Sequence, residues 1–324
     1  MNKIIVPEQS HSYKNAEQEF VALLGNQDLD EQILVEPHIT KFFQEKLHDA
    51  IDVAFSCGDE AAHLFIQRCL YRINRLKLFW YDELNNYSNE NSRYLFHIRT
   101  LIENKWSAWE DKQISNENLN AEEIFEALCV KADEDLNLNF SDDGGYYIRE
   151  HISETGYCKL LKIASLDGLV EASQLSRMLG GAGSEVQLML TKILWEEYGG
   201  GKFERKHSSH FSTMMEELGL NSKPEAYFEI VPWEVLANIN HSFSLSEQKR
   251  KFLRYIGGLL YIEISVPASF KNIKLAGERL GLSSKATSYW DIHIKEDIRH
   301  GQWMLNDVAL PLIEMYKENA WEIL

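Results

Sequence analysis

The sequence predicts an all-α protein. Three observations lead there. Only six prolines interrupt 324 residues, apolar residues recur at helical spacing over long stretches, and no alternating strand pattern of useful length occurs. Taken in order, Phe42–Phe55, Glu60–Asn85 and Arg93–Trp109 each carry that spacing. The run NNYSNENS, Asn85–Ser92, is rich in turn formers and reads as the link between the last two. The polar stretch Gln113–Asn120 marks a boundary. Helical spacing resumes over Ala121–Ala132, Tyr146–Ala164, Leu169–Leu179 and Glu185–Tyr198. It continues over Ser208–Leu218, Pro232–Asn240, Ser246–Ser265, Ile273–Leu280, Tyr289–Leu305 and Val308–Trp321. Gly180-Gly181-Ala182-Gly183 and Gly199-Gly200-Gly201 are the clear breakers. Pro267 is expected to end the helix that carries Glu263. The chain therefore divides into an N-terminal helical arm, 1–120, with no assigned role, and a helical bundle, 121–324.

Composition narrows the function. Lys and Arg number 33 against 50 Asp and Glu, a net charge of −17. So acidic a surface repels phosphate backbones and argues against a nucleic-acid partner. Met1–Ser12 has no apolar core of signal-peptide length. The longest apolar stretch, Tyr255–Pro267, falls short of the roughly 20 apolar residues of a membrane helix and carries Glu263. No membrane partner is expected. Cys57, Cys69, Cys129 and Cys158 form no Cys-x-x-Cys pair, which excludes a thiolate zinc site and suits the cytoplasm.

Chemistry concentrates in three places. In Tyr289–His300, YWDIHIKEDIRH, residues His293, Asp297 and His300 stand at i, i+4 and i+7. On a helix the second lies about 40° from the first and the third about 20° to its other side, so all three share one stripe. Two imidazoles and a carboxylate suit iron, manganese or zinc; a polar helix face is the alternative. These three residues are expected to converge on one point, with Glu263 facing them.

The second place is WEEYGGGKFERKHSSH, Trp195–His210. Three glycines are more than a helix cap needs, and they would let Glu197 and His207 aim at one point across ten residues. His210, one turn on, is an alternative to His207. Adjacent helical residues point about 100° apart, so Glu196 is expected to meet solvent or a surface partner, and its loss to cost only a fraction of a kcal/mol. The third place is Glu263 in LLYIEISVP, where burying an unpaired carboxylate costs several kcal/mol. It should be protonated, paired or bound to a cation, unless it lies on a narrow exposed stripe. Glu171 in LDGLVEASQL reads by itself as a solvent-facing glutamate.

The set resembles the haem-oxygenase-like diiron oxidases and oxygenases, iron-containing redox enzymes that share the haem oxygenase fold without binding haem. The matching residues are Glu171, Glu197 with His207, Glu263, and His293 with Asp297 and His300. The resemblance covers about 146–324; EEYGGGKFERKHSSHF and HIKEDIRH are its specific parts, and Glu171 and Glu263 are placed by spacing. It implies a haem-oxygenase-like bundle behind the N-terminal extension, with all seven residues as ligands of two Fe(II) ions. Glu197 would bridge the ions, Glu197 and His300 would act in catalysis, and dioxygen would be the cosubstrate. It also implies a small-molecule substrate, an amino acid or amine-bearing derivative, and N-oxygenation, desaturation or C–C cleavage in specialised-metabolite biosynthesis. Ferritin-type bundles use Glu-x-x-His pairs instead. Two other readings stay open: a haem-binding oxygenase, and a non-catalytic interaction protein with a decayed site. For the aromatic-rich arm, with Phe79-Trp80-Tyr81, a homodimer or partner surface stands beside simple core packing.

Overall fold

A computed structural model describes residues 7–114, 119–136 and 143–324. The regular structure of the described residues is all helical, with no strand among them. The helices are α1 (Pro7–Leu24), α2 (Leu29–Val35), α3 (Lys41–Cys57), α4 (Glu60–Arg75) and α5 (Arg93–Glu110). They continue as α6 (Ala121–Leu136), α7 (Asp143–His151), α8 (Glu154–Gly168), α9 (Ser173–Ser176) and α10 (Glu185–Glu197). The last five are α11 (His207–Glu217), α12 (Trp233–Glu247), α13 (Phe252–Arg279), α14 (Ser288–Trp303) and α15 (Leu310–Met315). Residues 1–6 of the leader reading and 115–118 of the polar boundary lie outside the described residues. No described helix is long and apolar enough to cross a membrane.

The chain forms two units. One is Met1–Glu117 with Pro232–Ser244; the other is Asn118–Val231 with Leu245–Leu324. Pro232–Ser244 thus groups with the first unit rather than with the 121–324 region in which the sequence puts it.

In the first unit α1, α3, α4 and α5 surround an apolar core that includes Phe20, Phe43 and Phe65. The Phe20 and Phe43 rings stack at 4.6 Å. Asp59 caps α4, accepting from the Ala62 N–H, and Ser92 caps α5, accepting from the Leu95 N–H. Buried Asn240 donates to the Gln67 side chain and accepts from Asn74, each within 3.0 Å. The expected helix Glu60–Asn85 is cut short. After Arg75 the chain turns through Tyr81 at φ 57°. Arg75 pairs with Asp82 at 2.7 Å, lies over the Trp80 ring and donates to the Tyr87 hydroxyl. These local bonds outweigh the helical periodicity.

In the second unit, three sequence expectations change. The stretch Tyr146–Ala164 is two helices, because Ser153 caps α8 by accepting from the Gly156 N–H. The stretch Leu169–Leu179 is a turn followed by the short α9. Pro267 does not end its helix: α13 runs 28 residues with Pro267 inside and buried. Proline has no N–H for the Glu263 carbonyl four residues back, a defect of about 3 kcal/mol in a helix interior. Burial of Leu260, Ile264 and Ala268 on either side holds the helix through it. We therefore expect Pro267→Ala to raise the thermal midpoint of the metal-free protein; an unchanged or lower midpoint would contradict this.

Helices α13 and α14 pack closely. A Cβ on Gly301 would come within 3.1 Å of Ile264 and 3.5 Å of the Glu263 carbonyl. The core beside them holds Tyr157, Phe211 and Trp290, with the Trp290 indole donating to Tyr157 at 2.9 Å. After α14 the helix widens to π form over Met304–Ala309 before α15.

Candidate metal centre

The seven sequence-selected residues all lie in the second unit, and six of them fall into two donor sets. The first is Glu171, Glu197, His207 and His293; the second includes Glu197, Glu263 and His300. Within each set the ligand atoms lie within 4.8 Å of one another, and Glu197 belongs to both.

The triple glycine brings the first set together. Gly199, Gly200 and Gly201 have φ of 65°, 62° and 79°, a region that L side chains avoid. A Cβ on Gly199 would stand 2.5 Å from the Arg205 carbonyl carbon and the Lys206 nitrogen. That close passage returns the chain to α11, whose first residue, His207, places Nδ1 2.8 Å from Glu197 Oε2. Its Nδ1 is also 3.2 Å from His293 Nε2. His293 donates through Nδ1 to the Tyr289 carbonyl, which aims Nε2 at Glu171 Oε1, 3.0 Å away. Tyr289 donates its hydroxyl to the same Glu171 oxygen at 2.8 Å. Glu171 is therefore not solvent-facing in the way its local sequence reads. It sits in the turn after α8, and the next residue, Ala172, holds a left-handed φ of 61°, the kind of strain that clusters at functional sites. His210 is not among this set; its Nδ1 pairs with the Ser288 hydroxyl at 2.7 Å.

The second set is built where α10, α13 and α14 meet. His300 is fully buried, with Nδ1 3.3 Å from Glu263 Oε2, 3.5 Å from Glu197 Oε1 and 3.9 Å from Asp297 Oδ1. His293, Asp297 and His300 share a stripe as expected, but they do not converge on one point. His293 joins the first set, while Asp297 and His300 face Glu263. The reason is helical rise: seven residues advance about 10.5 Å, so histidines two turns apart fall in different donor sets.

Glu196, expected to meet solvent or a surface partner, does pair with Arg299, but it also reaches His300. Its Oε2 lies 2.9 Å from His300 Nε2 and 2.5 Å from Arg299, which also contacts Glu296. Glu196, Glu296 and His300 form a third cluster of possible donors, but the Arg299 cation already lies between its two carboxylates. Its only sequence signal was adjacency to Glu197.

The electrostatics are those of a site short of positive charge. Burial, then the neighbouring Glu197 charge, pushes the Glu263 carboxyl up. Burial and Glu263 push Asp297 well above the carboxylate range. Burial opposes charge on the imidazoles, yet Glu171 raises His293 to about 10 and Glu263 raises His300 to about 9. Against its own burial, Glu171 is held low by His293. A divalent cation would relieve this crowding. Three buried atoms have no hydrogen-bond partner here: Glu171 Oε2, Asp297 Oδ1 and His300 Nδ1. Buried polar atoms are rarely left orphaned, and three orphans on the two donor sets fit metal ligation. Hard carboxylates with neutral imidazoles suit iron.

The match to known proteins falls on this same region. The model of the iron-containing redox enzyme family matches residues 158–324. A nitrosourea synthase of Streptomyces achromogenes subsp. streptozoticus is 29% identical over 150 residues, 46% of this chain and 32% of the relative. The chain thus spans about a third of the length of that curated relative.

Proposed function

The chain belongs to the iron-containing redox enzyme family, and from that premise we propose that it is a non-haem diiron oxidase or oxygenase. The substrate is an amino acid or amine-bearing small molecule, oxidised with dioxygen in specialised-metabolite biosynthesis. One observation carries the reading: two adjoining buried donor sets share one carboxylate, Glu197. Glu171, His207 and His293 would hold one iron; Glu263, Asp297 and His300 would hold the other; Glu197 would bridge them. Bound iron would supply the electrons for activating dioxygen. The chain's own residues set the geometry. The Tyr289 carbonyl fixes the His293 ring, the Tyr289 hydroxyl orients Glu171, and the packed rings of Phe270 and Tyr289 keep water from His293.

The relative's name denotes synthesis of a nitrosourea, a compound oxidised at nitrogen, which supports an amine-bearing substrate. A haem reading fits the site less well, because buried carboxylates stand against His207, His293 and His300 and would repel haem propionates. A decayed scaffold is disfavoured because six of the seven expected donors fall into two close groups of possible ligands that share Glu197.

The test is anaerobic Fe(II) loading, then exposure to oxygen with a panel of amino acids, read by iron stoichiometry, absorption and mass spectrometry. Two irons per chain and an oxygen-dependent product are expected. A chain that binds no iron would refute the reading.

Metal binding should also depend on pH. His293 and His300 hold protons up to about 10 and about 9, and a metal must displace them. Apparent Fe(II) affinity should therefore rise with pH from 6.5 to 8 and fall with acidification. Calorimetric titration in buffers of different ionisation enthalpy should detect the released protons; pH-independent affinity would contradict the ligand roles of the two histidines.

A further inference from the structure

We propose that Glu196 is a positioning residue that holds His300 from behind and thereby sets metal affinity at the second donor set alone. The inference rests on the two-metal reading above. A carboxylate without a proton can only accept, so the 2.9 Å contact with Glu196 Oε2 keeps a proton on His300 Nε2. The lone pair of the neutral ring is then at Nδ1, the orphaned atom that faces Glu263, Glu197 and Asp297. Consecutive residues of α10 thus grip one imidazole from its two sides: Glu196 at Nε2 and Glu197 near Nδ1.

Glu196 is itself held. Arg299 lies 2.5 Å from it, bonds Glu296 as well, and stacks over Trp303 at 4.9 Å. The Trp303 ring lies 5.6 Å from the His300 ring. The contrast with the first set makes the proposal specific. There His293 donates its second nitrogen to the Tyr289 backbone carbonyl, an acceptor that no side-chain change removes. Of these two histidines, it is His300 whose second nitrogen depends on a side chain. Outer carboxylates on ligating histidines typically contribute 10–100-fold in metal affinity.

The test titrates Fe(II) anaerobically by calorimetry into full-length wild type, Glu196→Ala, Arg299→Ala, Glu263→Ala and the double variant Glu196→Ala/Glu263→Ala. Glu263→Ala marks what remains when the second set alone is broken. Glu196→Ala should bind the first iron as wild type does and the second about 10–100-fold more weakly. Arg299→Ala, which leaves Glu196 in place but less well held, should show a smaller loss in the same site. In the Glu263→Ala background, removing Glu196 should change nothing further, which a general structural role would not allow. Second-site affinity in Glu196→Ala within threefold of wild type would overturn the proposal. Equal weakening of both sites, or further weakening in the double variant, would overturn it too. Wild type binding fewer than two irons would instead overturn the two-metal reading, and this proposal with it.

Discussion

Gly199→Ala should destabilise the protein by about 3 kcal/mol or more and abolish high-affinity iron binding. Left-handed backbone costs an L residue about 1–2 kcal/mol, and Gly199 has φ 65°. The larger part is steric. The added methyl would stand 2.5 Å from two backbone atoms, the Arg205 carbonyl carbon and the Lys206 nitrogen. Lys206 cannot retreat without moving His207, whose Nδ1 lies 2.8 Å from Glu197. Fold and site therefore fail together. Gly183→Ala is the control: a Cβ there meets nothing within 4 Å, and surface changes of this kind usually stay within about 0.5 kcal/mol. Thermal unfolding and iron stoichiometry of both variants check this. A Gly199→Ala protein with wild-type stability and two irons would show that the close passage is not needed.

Glu197→Ala should leave no high-affinity iron site, whereas Glu263→Ala should leave one. Glu197 reaches His207 with Oε2 and the His300 side with Oε1, so its loss strips a ligand from both donor sets. Glu263 faces only the second. The metal-free protein should tolerate the change, because the Glu197 charge is among the causes that push Glu263 and Asp297 up, and removing it relieves like-charge crowding. Stoichiometry by anaerobic titration, with circular dichroism for the fold, is the check. One tightly bound iron remaining in Glu197→Ala would mean that it serves a single centre.

Much of this was legible in the sequence where the determinant is local. Helical periodicity marked most helices, and the glycine run marked the turn that joins Glu197 to His207, because only glycine supports three consecutive left-handed residues. What was not legible depends on side-chain contacts that periodicity does not encode, some local and some far along the chain. Arg75 ends α4 early by pairing with Asp82 and stacking on Trp80. Pro267 stays inside α13 because its flanks are buried. Glu171 reads as an ordinary glutamate until the turn carrying it meets Tyr289 and His293. Glu196 meets His300 and Arg299 only because α14 brings them against the end of α10. The stripe of His293, Asp297 and His300 was visible, but the division of its histidines between two donor sets follows from helical rise, not from angle.

The central claim is that two metal ions share Glu197. An anomalous difference map from a crystal loaded anaerobically with Fe(II) tests it most directly. Two peaks are expected: one bounded by Glu171, Glu197, His207 and His293, the other by Glu197, Glu263, Asp297 and His300. A single peak at full loading, or iron beside Arg299 in place of the second site, would contradict the account.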